Sequence, residues 1–456
     1  MQTEILAEHA ARSARAAAQL RGLHAAASDA PLRLAKHTSN LFRDRAAVRR
    51  RLDLSALCRV LAIDRAQMQF DAEGLTSYED LVAATLAQGC MPAVVPQLKT
   101  ITVGGAVAGV GIEATSFRHG LVHDTMTELE VLLPDGEIVV ASATNAHRDL
   151  FHGFPNSYGT LGYALRVRAC LLPVKPCVHV RHLRHSDPAA FFADLAVHCA
   201  GDADFVDGVV FGPHEQVLSV ARFGDAPPPR RPTVSDYTFE NIYYRSLRQR
   251  DEDVLSAAGY LWRWDTDWFW CSKNVGAQHP LLRRLYGRKR LGSRTYTRLM
   301  RLDARLGLTR TLGRLRGLHA ESVIQDVDIP LPRAAEFLDF LLAEVGVLPI
   351  WVCPIGPVPR RTDFTLYPLQ RDTLTLNFGF WDAVRTREPW PAGHLNRKIE
   401  AKVIELGGIK SLYSDSYFDR DTFARAYNLD AYERLKRKYD PAGRLPGLYE
   451  KCVLRV

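Results

Sequence analysis

Apolar residues in the first 175 positions fall into short runs separated by glycine, proline and polar turns, and the spacing inside each run predicts its structure. Residues 4–26 are rich in alanine, with Glu8, His9, Arg12, Arg15 and Arg21 recurring between apolar positions, the pattern of an amphipathic helix. Residues 32–37 read as extended and run into the polar turn Thr38-Ser39-Asn40. Strands are predicted over 60–64 and 68–73. Gly74 then punctuates, and Thr76-x-x-Glu79 has the form of a capping box opening a helix over 78–88, which Gly89 stops. Residues 91–95 are apolar and bounded by Pro92 and Pro96. Strands at 128–133 and 137–141 are joined by the turn Pro134-Asp135-Gly136, and a last strand is predicted over 163–172.

Beyond Pro173 and Pro176 strands and helices alternate without glycine-rich turns. Pro227-Pro-Pro-Arg-Arg-Pro232 reads as an exposed loop, and residues 349–354 and 373–379 as strands, the first buried. Trp262, Trp264, Trp268 and Trp270 crowd into one short segment, and no internal repeat is present. The pattern predicts an α+β protein: a helix over 1–30, a glycine-rich domain over 31–175, a second domain over 176–430 and a C-terminal return over 431–456.

With 456 residues, a sizeable core and two domains are expected. The eight cysteines are scattered with no zinc spacing, so they read as reduced thiols and no metal site is expected. The first 30 residues lack the form of an export signal, and no window is apolar enough to span a bilayer. We therefore expect a cytoplasmic protein, with peripheral attachment to the inner membrane surface open. Lys and Arg number 59 against 51 Asp and Glu. Twelve of the basic residues lie between Arg283 and Arg316, with leucines interleaved at helical spacing. A solvated basic helix face is one reading, and contact with an anionic bilayer is the other. Nucleic acid is not expected, because no aromatic–basic recognition motif accompanies the charge.

The candidate chemistry lies in residues 89–162. Gly104, Gly105, Gly109 and Gly111, with Thr102 and Ser116, form a run of small residues that lets backbone N–H groups approach a pyrophosphate. The order Gly-Gly-x3-Gly-x-Gly, with no clear helix following it, fits a Rossmann turn poorly. Around it stand Val103-Gly104-Gly105, Gly120-x-x-x-Asp124, Asp135-Gly136, Asp149-Leu-Phe and Gly159-x-Leu-Gly162. In this order the pieces resemble the FAD-binding domain of the vanillyl-alcohol-oxidase (p-cresol methylhydroxylase) superfamily. The resemblance implies FAD, with Lys36, Thr38, Ser39, Asn40, Pro96, Thr102, Val103, Gly104, Gly105, Gly109, Gly111, Ser116, His119, Gly120, Gly159 and Gly162 as its contacts. Lys36 to Asn40 stand where the family has a glycine-rich loop. His37 is offset from the histidine that carries covalent flavin in some members, so FAD is expected to be non-covalent.

A narrower likeness runs through most of the chain. Leu98-x-x-Ile-Thr-Val-Gly-Gly105, Gly109-x-Gly-Ile-Glu113-x-x-Ser116, Gln325-Asp-x-x-Ile-Pro330, Pro349-Ile-Trp-Val-Cys-Pro354 and Leu412-Tyr-Ser-Asp-Ser-Tyr417 resemble Δ24-sterol reductases. Lys36-x-Thr-Ser-Asn-Leu-Phe-Arg43 and Phe154-Pro-Asn-Ser-Tyr-Gly159 resemble bacterial enzymes of methyl-branched fatty acids, which reduce a methylene-branched chain or desaturate a methylated one toward furan fatty acids. The implied reaction is reduction of an aliphatic lipid alkene by flavin, with NADPH as reductant. Its reverse, desaturation of a methyl-branched chain, and a sterol-type reduction are the alternatives. The absence of a His-Trp-Ala-Lys-like segment argues against an aldonolactone or alcohol oxidase, and a flavin-free lipid scaffold is the remaining rival. The implied partners are an acyl lipid, with a phospholipid at an anionic membrane surface as one form of it, and a methyltransferase of the same pathway. Tyr413, Asp415 and Tyr417 are the candidate proton relay, with structural hydrogen bonds at a domain seam as the alternative; Glu113 is a further candidate, as a flavin-shell or structural residue before an acid; and the Trp262–Trp270 cluster with Trp351 reads either as the wall of an apolar pocket or as core or a membrane-facing surface.

Overall fold

The computed structural model describes residues 2–26, 32–36, 42, 50–227, 233–307, 315, 317–357, 364–370 and 372–455. His37, Thr38, Ser39, Asn40, Arg43 and residues 228–232 of the proline-rich loop lie outside the described residues. Sixteen strands are present among them: β1 Leu32–Ala35, β2 Arg50–Asp53, β3 Val60–Asp64, β4 Gln69–Glu73, β5 Cys90–Pro92, β6 Met126–Leu132, β7 Ile138–Ser142, β8 Tyr163–Pro173, β9 Cys177–His185, β10 Phe205–Gly212, β11 Glu215–Gly224, β12 Glu252–Ser256, β13 His319–Pro330, β14 Ile350–Ile355, β15 Thr375–Thr386 and β16 Ile409–Lys410. They form the mixed, largely antiparallel α+β architecture that the pattern predicts. The first sheet runs β3-β4-β8-β6-β7, with β5 added to β8. The second runs β12-β9-β11-β10-β14-β15-β13-β16, and every ladder in both is antiparallel. β1 and β2 pair in parallel apart from these sheets.

In β8 buried and half-buried residues alternate along the strand, as a sheet covered on one face requires. One large core joins the first sheet to the inner face of the second, from Phe70, Leu129 and Val167 to Trp264, Trp351 and Tyr427. A separate core lies under helices Pro188–Ala200, Ala334–Phe340 and His394–Glu405, against the other face of the second sheet.

Local details depart from the sequence reading. The cap of helix Tyr78–Leu86 is Ser77, whose hydroxyl accepts the Asp80 N–H at 3.1 Å, while Thr76 donates to the Arg59 carbonyl. The capping signal was therefore shifted by one residue. Helix Gln2–Ala25 buries a face that is partly polar: His9, Arg12 and Ser13 lie inward with Ala16, Ala17 and Leu20. His9 bonds Glu73 at 2.8 Å and Glu130 at 3.0 Å, so the helix is latched to β4 and β6 by charge. The glycine segment contains a short helix of its own, Val103–Ala108. Only glycine fits at 104: the Gly104 N–H donates to the Gly74 carbonyl at 2.9 Å, and an added Cβ would lie at 2.9 Å from that oxygen.

Candidate active site

A cavity of about 920 Å³ opens between the glycine segment and the second sheet. Of the residues expected to hold a flavin, Lys36, Pro96, Thr102, Gly104, Gly105, Gly109, Gly111, Gly159 and Gly162 line it. Lys36 Nζ donates to Thr102 Oγ1 at 2.9 Å. A Cβ on Gly105 would fall 2.7 Å from that hydroxyl and 3.1 Å from the ammonium, and one on Gly111 would fall 3.0 Å from Pro96. Gly159 and Gly162 have φ of 74° and 136°, where a side chain is strained, and a Cβ on Gly162 would meet the Leu132 carbonyl at 2.6 Å. Arg33 and Arg51 also face the cavity, and they are direct partners in the β1–β2 register. Two like charges side by side favour an anion between them. Sequence reading missed both, since only the pairing of two separated strands brings them together.

Other expected contacts stand back from this wall. Val103, the first residue of helix Val103–Ala108, is buried. Ser116 Oγ accepts the Glu113 N–H at 3.1 Å, and the Ser116 carbonyl accepts the Gly356 N–H at 3.1 Å, which ties the glycine segment to β14. Gly120, at φ 73°, makes a turn in which Asp124 accepts the Leu121 N–H at 2.7 Å. That turn presents Leu121 to the cavity. His119 is half-buried, and burial together with Arg118 lowers its pKa. Asp149 accepts Tyr439 at 2.7 Å and Lys438 at 2.7 Å, so this motif docks helix Leu429–Tyr439 against helix Arg148–Gly153.

The proton-bearing groups are distributed in a way the sequence did not foretell. The Tyr413 hydroxyl lines the cavity, accepts Trp381 Nε1–H at 2.7 Å and is hydrogen-bonded to Asp326. Asp326, on β13, is open to the cavity, and its Oδ1 has no partner. Burial raises its pKa; the Tyr413 hydrogen bond opposes this, nearby Asp328 adds to it, and the result is about 7. Burial, then Asp326, drives Tyr413 well above the usual tyrosine range. Asp415 and Tyr417 are not on the cavity wall. Asp415 pairs with Arg455 at 3.4 Å, and the Tyr417 ring lies under the same guanidinium. The segment 410–417 is pinned by the buried Lys410–Glu400 pair at 2.8 Å.

Glu113 is also off the wall. It pairs with Arg263 at 2.8 Å, and Arg263 pairs with Asp207 at 2.8 Å, all three fully buried. Trp351 Nε1 donates to Asp207 at 3.1 Å. Two carboxylates share one guanidinium: burial first, with Asp207 adding and Arg263 opposing, lifts Glu113 to about 7. The node joins the glycine segment to β10 and β14 and thereby positions the cavity floor. Of the tryptophan cluster, Trp268 reaches the cavity, Trp264 and Trp270 are core, and Trp262 packs beside Lys99. Trp381 and Phe269 complete the aromatic wall.

Backbone strain marks the same place. Among the described residues eight non-glycine residues have positive φ, and four of them, Val110, Tyr158, Trp268 and Phe269, line the cavity. A β-branched residue such as Val110 at φ 52° is held there only by its surroundings. Buried polar atoms without protein partners also collect here: Gln97 Nε2, Asn377 Oδ1 and Ser411 Oγ join Asp326 Oδ1. A glycine cradle beside paired arginines, with unsatisfied donors and acceptors among aromatic rings, fits a large anionic cofactor with a planar polar ring.

Residues 16–142 match the family described as FAD binding domain. The delta(24)-sterol reductase of Pisum sativum is 26% identical over 437 residues, covering 88% of this chain and 76% of that protein. The delta(24)-sterol reductase of Homo sapiens is 24% identical over 402 residues, covering 86% and 75%. Cytokinin dehydrogenase 7 of Oryza sativa subsp. japonica is 34% identical over 145 residues, covering 31% and 28%.

Proposed function

We propose, for a chain that belongs with the FAD-dependent oxidoreductases of the delta(24)-sterol reductase type, that its reaction is reduction of a carbon–carbon double bond in an aliphatic lipid. The substrate class we assign is a methylene-branched acyl chain, with NADPH as the source of electrons. The observation that carries the reading is the Asp326–Tyr413–Trp381 group in the same cavity as the glycine cradle. Bound FAD supplies hydride chemistry that no side chain offers. Lys36, Thr102, Gly104 and Gly105 would hold it, with Arg33 and Arg51 facing its negative charge. An alkene carbon also needs a proton. Asp326, with a pKa of about 7, holds one at neutral pH and releases it readily, whereas Tyr413 is too weak an acid. We therefore assign Asp326 as the donor and Tyr413, fixed by Trp381, as the group that orients it. Phe269, Trp268 and Ile324 offer an apolar wall to a chain that has nothing to hydrogen-bond, and they exclude water.

The test is anaerobic incubation of the FAD-loaded protein with lipid extracts, with and without NADPH, followed by mass analysis. A gain of two hydrogens in an unsaturated acyl lipid, dependent on NADPH, is the expected result. A loss of two hydrogens without NADPH would reverse the direction, with Asp326 acting as base.

A further inference from the structure

Seven of the twelve exposed large apolar side chains among the described residues lie between Leu281 and Leu315. Leu281, Leu282 and Leu285 stand on helix Pro280–Tyr286, and Met300, Leu302 and Leu306 on helix Ser293–Leu306. Residues 280–307 hold nine basic residues and one acid, Asp303. On the second helix the arginines fall at 294, 298, 301 and 305 and the leucines at 299, 302 and 306. The two stripes run side by side along the helix, each repeating every three or four residues. The inner faces are anchored: Arg283 pairs with Asp267 at 2.6 Å, Ser293 donates to Asp265 at 2.6 Å, and Tyr296 donates to the Thr266 carbonyl at 2.8 Å. Arg284 meets Glu240 at 3.5 Å, Arg288 meets Asp236 at 2.8 Å, and Arg294 meets Glu79. Among the described residues no ion pair involves Lys289, Arg290 or Arg298.

We infer that these two helices are a docking surface for an anionic phospholipid bilayer. Charge of a single sign repels a second copy of the same face. The exposed leucines would gain nothing on a nucleic-acid backbone but can enter the boundary between headgroups and acyl chains while the arginines stay at the phosphates. The surface is continuous with the cavity, because Tyr296, Met300 and Arg301 line it together with Asn274 and Val275. An acyl chain leaving the bilayer at this face would reach the cavity without crossing water. The docking surface stands apart from the alkene chemistry, and its test involves no turnover.

The FAD-loaded protein is floated with vesicles of phosphatidylglycerol and phosphatidylcholine, and with vesicles of phosphatidylcholine alone. Wild type is expected to float with the anionic vesicles and to be released by salt. Replacing three exposed arginines together (R284Q, R290Q, R298Q) is expected to weaken partitioning roughly a hundredfold. The pair L285E and L302E should abolish it. None of these five lines the cavity, so flavin content should stay at the wild-type level and report intact folding. The inference is overturned if wild type stays unbound with both vesicles. Variants that float like wild type would overturn it too, as would a stable wild-type dimer that L285E and L302E split into monomers.

Discussion

Replacing Asp326 by asparagine should make the protein more stable and less active at once. Asp326 lies on β13 in the cavity wall, and burial, against the Tyr413 hydrogen bond and with help from Asp328, lifts its pKa from 3.8 to about 7. A shift of about three units corresponds to about 4 kcal/mol between the protonation states at most. The folded state holds this proton more tightly than the unfolded state, so stability falls as pH rises from about 4 to about 7 and then levels. Asparagine keeps the shape and does not titrate. Urea unfolding followed by tryptophan fluorescence should therefore show equal stability at pH 4. At pH 8 the variant should be more stable, by up to about 4 kcal/mol. Removing the proton donor should slow lipid reduction by roughly 10²–10⁴-fold. The wild-type rate should decline above pH 7, and the residual rate of the variant should be flat. Equal stability at pH 8 would show that Asp326 is not held as an acid by burial. An undiminished rate with the wild-type pH profile would remove it from the reaction.

Tyr413→Phe removes a hydrogen bond that lowers the Asp326 pKa, so the decline in rate should move above pH 7, while Tyr417→Phe should leave rate and profile unchanged. Gly105→Ala sets a Cβ at 2.7 Å from Thr102 Oγ1 and disturbs the Lys36–Thr102 bond. Loss of about 1 kcal/mol should weaken FAD binding several-fold in equilibrium titration, and Gly105→Leu should abolish it. His9 is lowered by burial but raised more by Glu130 and Glu73, to about 9. Its stabilising contribution is complete below pH 6.5 and is lost as pH rises through 9. The thermal midpoint should fall across that window in wild type and less so in His9→Gln.

Much of the first sheet and of the glycine segment was legible because their signals are local. Pro134-Asp135-Gly136 forms the turn between β6 and β7, and the order of glycines resolves into the cradle at Gly104, Gly105 and Gly111. The acid chemistry was not legible. Gln325-Asp-x-x-Ile-Pro330 carried a family likeness, but Asp326 gains its pKa from burial and from Tyr413, which lies on a distant segment. Tyr413, Asp415 and Tyr417 looked equivalent in sequence, yet only the first faces the cavity. The tryptophan cluster stayed open between pocket wall and core for a related reason. Trp268 and Phe269 take φ of 45° and 58°, and no periodic pattern predicts which way two left-handed residues turn their rings. The inward polar face of helix Gln2–Ala25 likewise depends on Glu73 and Glu130, contributed by other elements.

These departures have a common direction. Local preference and global fold agree through most of the chain, and they conflict around one cavity: Val110, Trp268 and Phe269 in left-handed conformations, Arg33 beside Arg51, and Asp326, Gln97, Asn377 and Ser411 with buried polar atoms unpaired. Each feature opposes folding by a fraction of a kilocalorie to a few kilocalories per mole. Selection for stability alone would remove them. A hydrogen-bonding, planar ligand would satisfy the orphaned polar atoms, which is why the conflict points to a binding site and not to a poorly packed core. The raised Asp326 pKa belongs to the same set: a carboxyl kept from full hydrogen bonding is a cost to the fold and, at pH 7, a usable acid.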